Sequence, residues 1–152
     1  MVIQRLIKIF RNIVKGDWEF KKLVFISFFY CFYVRFLMLF VKYKRYEDRL
    51  GERGVASFDV VEETQRLLLL KVRAAVVGVS NHTPWESKCM VQALATKWIL
   101  KRYGIASTIY FGVMKDPENT GALKAHAWLR VGEYIVTGKE GHMAFKVVNF
   151  YT

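Results

Sequence analysis

Residues 85–104 read WESKCMVQALATKWILKRYG, an amphipathic helical pattern with a cysteine, Cys89, at its head and a terminal glycine, Gly104, that supplies a left-handed last residue. Two helix starts compete. Thr83, Pro84 and Glu86 form a capping-box pattern that puts Cys89 in the second turn. Ser87 as the cap puts it in the first turn, where free backbone N–H groups and the helix dipole favour a thiolate; this is the start expected for the main helix. After the glycine the pattern changes to strands: 105–113, then a polar loop over 115–121, then 123–131. Gly132 and Glu133 make a two-residue turn, 134–137 return, and a last strand covers about 143–151. Helices first and an antiparallel meander afterwards describe an α+β layer with the Cys89 helix packed on the sheet. His126 is the one histidine set in strand-like sequence, and alternation places Trp128 and Arg130 on its face.

The 152 residues suit one domain, and 53% apolar content suffices for a core. Cys31 and Cys89 stand in dissimilar surroundings without a secretory signal pattern, so they are read as unbridged thiols in a reducing, cytoplasmic setting. Neither CxxC nor HExxH occurs, and His82, His126 and His142 are dispersed, so no metal and no cofactor is expected. The net charge of +11 is uneven, +7 through Leu50 and +4 beyond it. It suits anionic lipid, an acidic peptide or nucleic acid, but no finger, RNP-type strand or basic zipper supports nucleic acid as a partner.

The first third is unlike the rest. Residues 2–15 place Ile3, Leu6, Ile7, Phe10, Ile13 and Val14 on one helical face and Arg5, Lys8, Arg11 and Lys15 on the other; Gly16 ends this helix and Asp17 caps the next. LVFISFFYCFYVRFLMLFV, residues 23–41, is nearly long enough to span a bilayer, but Arg35 inside it is costly in lipid. A helix facing the core or a partner is the favoured reading, and peripheral membrane contact stays open. Thirteen of the 24 aromatic residues precede Leu50, which marks this third as a surface for docking partners. Cys31 reads as a small buried hydrophobe. The charged, glycine-closed YKRYEDRLGERG is the candidate hinge, dividing an N-terminal helical extension, 1–54, from a second domain, 55–152. A helix over 58–77 opens the latter, with Asp59 and Glu62 as its capping pair.

The order of Cys89 with ALATKWILKRYGI, a strand ending FGV, and then AHAWLRVGEYIVTG resembles the transglutaminase-like cysteine peptidases that remove leader peptides in lasso-peptide biosynthesis, in the form whose leader-recognition domain is a separate chain. The resemblance covers about residues 58–152, and residues 35–54 are similar to that family's short helical extension. It implies a transglutaminase-like or papain-like core, Cys89 as nucleophile and His126 as base and then acid. An acidic third member would orient the imidazole, and the chain departs from that pattern, since YIVTGKE holds no aspartate. A plain hairpin puts Thr137 opposite Trp128 and Lys139 opposite His126. A bulge at Gly138 would bring Glu140 to the histidine face, with Glu133 as the alternative and solvated surface roles open to both. Gln92 and Trp85 are candidates for the oxyanion and substrate pocket, with packing as the competing role, and Trp128 is expected to wall the cleft. By resemblance the partners are a precursor peptide, a separate leader-recognition protein and an ATP-dependent lasso cyclase. The same Cys–His pair also serves acyl transfer to amines, and a non-catalytic membrane-associated scaffold is the third alternative.

Overall fold

The computed structural model describes residues 17–57, 60–119 and 121–152. The helix expected over 2–15, and Asp59 of the expected capping pair, lie outside the described residues. Helix α1, Trp18–Phe40, begins where Asp17 accepts a bond from the Phe20 N–H at 2.7 Å. One turn of helix, α2 (Tyr43–Tyr46), and a 3₁₀ turn, Glu47–Leu50, follow. Helix α3, Glu63–Ser80, starts later than its apolar run suggests, because Glu62 is the cap and Gln65 reciprocates it. Helix α4 is Cys89–Arg102. Four antiparallel strands complete the chain: β1 (Thr108–Lys115), β2 (Leu123–Val131), β3 (Tyr134–Thr137) and β4 (Lys146–Tyr151), in the order β3-β2-β1-β4. The first three form the expected meander. The last crosses back to pair with β1, so β3 is left at an edge.

One cluster unites helices and sheet. Leu23, Cys31 and Val34 of α1, Leu69, Val72 and Val76 of α3, and Leu94, Ile99 and Leu100 of α4 pack with Ile109, Ala127, Leu129, Val136 and Tyr151 of the sheet. Helix α4 lies at the centre, buried on nearly every side. Full burial of a leucine or isoleucine is worth about 1.5–3 kcal/mol, so α4 is held far more by this packing than by its own helix propensity.

The charged segment after α1 is stitched down rather than hinged. Glu52 and Thr152 exchange two backbone hydrogen bonds of 2.8 and 3.0 Å, and the Gly54 N–H donates to Phe150 O at 3.0 Å. Tyr151 donates to Glu47 at 2.7 Å and is reached by Tyr43 at 3.1 Å. Leu50 and Tyr46 are buried beside this network. Charge density in the sequence marked a surface segment, while the backbone pairing that immobilises it comes from the far end of the chain.

Candidate active site

Cys89 is the first residue of α4, so the start expected on chemical grounds is the one adopted. The cap is Lys88, without a side-chain bond to the helix. Ser87, expected in that role, sits one residue earlier, buried, with its Oγ 3.0 Å from Thr83 Oγ1. Thr83 Oγ1 also lies 3.1 Å from Trp85 O, and the Gln92 amide donates to Ser80 Oγ at 2.9 Å and to Ser87 O at 3.3 Å. These bonds brace the turn entering α4 and engage the Gln92 amide there. The uncapped first turn keeps its N–H groups for an approaching anion.

The two cysteines differ as their surroundings dictate. Cys31 is fully buried in α1, and burial pushes its thiol up to about 12. Cys89 is half-buried at a helix N-terminus beside Lys88. The Lys88 ammonium is held above the usual lysine range, mainly by its 2.5 Å bond to Glu86, with the Cys89 charge as a smaller contribution.

His126 is in β2, an element α4 packs against. Ala127, Leu129 and Val131 face the core shared with α4, so the imidazole, with Trp128 and Arg130, belongs to the alternate surface of the strand. Among the described residues no hydrogen bond joins Cys89 Sγ to the ring. The β2–β3 ladder ends where Thr137 faces Leu129, so His126 lies beyond the paired part of β2. Trp128 flanks the imidazole at 5.9 Å between centroids and Phe145 lies at 5.0 Å. The Trp128 indole stacks in turn on Tyr110 at 5.6 Å. This needs Gly112, whose place in β1 leaves no room for a Cβ, since one would fall 2.8 Å from Phe145 Cβ and 2.9 Å from the indole.

The orienting group at His126 is a main-chain carbonyl. Nε2 lies 2.8 Å from Gly138 O. A carbonyl can only accept, so Nε2–H is the donor, and the neutral tautomer with this bond has its lone pair on Nδ1. A bulge does form, but between Leu129 and Arg130: Arg130 faces Ile135 while Leu129 faces Thr137. It shifts the register by one, and Gly138, at φ +73°, turns the chain across Ala127 and Trp128 with its carbonyl toward the ring. Glu140 and Glu133, the two carboxylates considered for this role, are both exposed and neither bonds to His126. Side-chain patterns carry no sign of a backbone acceptor; the one available hint was a glycine where a carboxylate was sought.

Trp85 packs against Phe28 and Phe32 of α1, with centroids 5.4 and 5.5 Å away, and Arg35 reaches Glu86 at 3.6 Å. The apolar helix thus holds the segment leading to Cys89, which accounts for the arginine inside its apolar run. Trp85 is a packing residue of this contact.

A cysteine opening a buried central helix on an antiparallel sheet, with a histidine in the second strand, is matched at the level of the family: the model of the transglutaminase-like superfamily fits residues 33–149. The chain belongs to that superfamily, whose members are typically cysteine peptidases or acyltransferases. The match begins within α1. No curated protein and no solved structure matches the chain.

Proposed function

We propose that the protein is a cysteine peptidase that cuts the leader from a lasso-peptide precursor, with Cys89 as nucleophile and His126 as the general base. The observation that carries the chemistry is a half-buried cysteine at the first position of an uncapped helix inside a transglutaminase-like fold. The structure holds the imidazole on Gly138 O, on the face of β2 away from α4, so the reaction requires a rearrangement that brings His126 Nδ1 within hydrogen-bond reach of Sγ. Nδ1 then takes the thiol proton, and the thiolate adds to the carbonyl carbon at the junction of leader and core. The oxyanion is met by N–H groups of the first turn of α4, including that of Cys89. On collapse the C–N bond breaks, Nδ1–H protonates the departing amine, and a thioester to the leader remains. Water, deprotonated by Nδ1, hydrolyses it to the free leader acid. Through both steps the Gly138 carbonyl keeps the proton on Nε2 and is the orienting partner in place of a carboxylate.

The lasso assignment rests on AHAWLRVGEYIVTG following the cysteine helix, and with it go a separate leader-recognition protein and an ATP-dependent cyclase that closes the ring on the released amine. The test is incubation of a precursor peptide with this protein, with and without the recognition protein, followed by mass analysis. Free leader acid, lost in Cys89→Ala, is the expected product. Leader joined to an added amine would make the protein an acyltransferase, and cleavage surviving in Cys89→Ala would refute the nucleophile.

A further inference from the structure

Helix α1 carries more apolar surface than the fold buries. Leu23, Ser27, Cys31, Val34 and Leu37 form its buried stripe, against α3 and α4. On the far side Phe25, Phe29, Phe32, Phe36 and Phe40 recur at helical spacing, and all are exposed, Phe25 by 66% and Phe40 by 72%. An 18-residue stretch of this 23-residue helix reaches a mean hydropathy of 2.1, and 28% of that stretch is buried.

Length and hydropathy would allow a bilayer span, but the contacts of the helix argue against one. A spanning helix must meet lipid or protein at membrane depth all round. This one gives a full stripe to the domain core and is tied by the Arg35–Glu86 pair and by Lys71 donating to Asp17 at 3.0 Å. Leaving the domain would expose that stripe and break both links. A helix fastened along one side and uniformly apolar on the other is suited to lie in a membrane surface.

Charge names the surface. Lys22 is exposed at the start of α1, and Lys42, Lys44 and Arg45 are exposed just past its end, while Glu19 is the single acid between Trp18 and Arg45. A protein partner fits less well, because protein interfaces alternate apolar patches with hydrogen bonds at about one per 100–200 Å². Along the exposed aromatic stripe the one hydroxyl, that of Tyr33, already accepts from Arg49.

We infer that the aromatic face of α1 seats this protein, in plane, on anionic lipid membranes. Phe28 and Phe32 continue that face to Trp85, so the segment entering Cys89 lies beside the lipid. The inference is independent of the reaction at Cys89.

The test is flotation of the full chain with vesicles of phosphatidylcholine alone and of equimolar phosphatidylcholine and phosphatidylglycerol. The protein should float with the anionic vesicles, be released by alkaline carbonate, and lose binding in Phe25→Ser/Phe29→Ser/Phe36→Ser. Lys42→Glu/Lys44→Glu/Arg45→Glu should weaken partitioning by roughly a hundredfold or more, taking each juxtamembrane cation as worth about fivefold. The charge variant alters exposed residues, so it decides the matter even if the aromatic variant fails to fold. Absence of flotation, indifference to the charge variant, or retention in carbonate would overturn the inference, the last by showing a span. So would soluble self-association that the aromatic substitutions abolish, which would assign the face to a second copy.

Discussion

Gly138→Ala tests whether a backbone carbonyl orients the His126 imidazole proposed as the general base. At φ +73° an L-residue costs roughly 1–2 kcal/mol. The new methyl would lie 2.4 Å from Ala127 O and 2.8 Å from Trp128 Cβ, distances that neither a main-chain oxygen nor a buried indole can yield cheaply. Relief of such overpacking costs about 1–3 kcal/mol. The expected destabilisation is therefore roughly 2–5 kcal/mol by urea unfolding, within what a domain of ordinary stability survives in the cold. The chain must move away from β2 to admit the methyl, and the 2.8 Å bond from Nε2 goes with it. Misplacement near 1 Å at a catalytic group costs about a hundredfold. The assay is leader cleavage at saturating precursor, with the pH profile of Cys89 alkylation as a substrate-free readout. Glu140→Gln and Glu133→Gln are the matched comparisons and should leave both readouts unchanged. Full activity in a folded Gly138→Ala protein, or a loss in Glu140→Gln as large as that in Gly138→Ala, would refute the reasoning.

Cys89→Ser should keep the thermal midpoint and abolish cleavage, whereas alkylation of the native protein should label Cys89 and spare Cys31 until unfolding, as peptide mapping would report. Lys97, 6% exposed and donating to Ser107 O at 2.6 Å, is lowered by burial to about 8. The unfolded chain holds that proton to about pH 10.4, so between those values unfolding takes up a proton and raising pH stabilises the fold, by at most about 3 kcal/mol. Melting curves from pH 7 to 10 should show this contribution and lose it in Lys97→Met. Leu94→Ala, at a fully enclosed position of α4, should cost about 2–5 kcal/mol in urea unfolding.

Much of the architecture is decided locally. Periodicity marks the helix opening at Cys89, the strand 123–131, the Gly132 turn and the return over 134–137, because each is specified by residues within a few positions of one another. The Asp17 cap is legible for the same reason. The pairing of β4 with β1 and the clamp of Glu52 on Thr152 join residues far apart in the chain, and no local pattern records them. The orienting group at His126 belongs with these: a one-residue bulge and a left-handed glycine bring a carbonyl to the ring, while sequence reasoning looks for carboxylates. Sequence alone singled out the sulfur and the ring proposed to carry the chemistry, through the residue types and their order. The tertiary structure decided what braces them, since backbone groups are identical at every position and only the path of the chain says which one arrives.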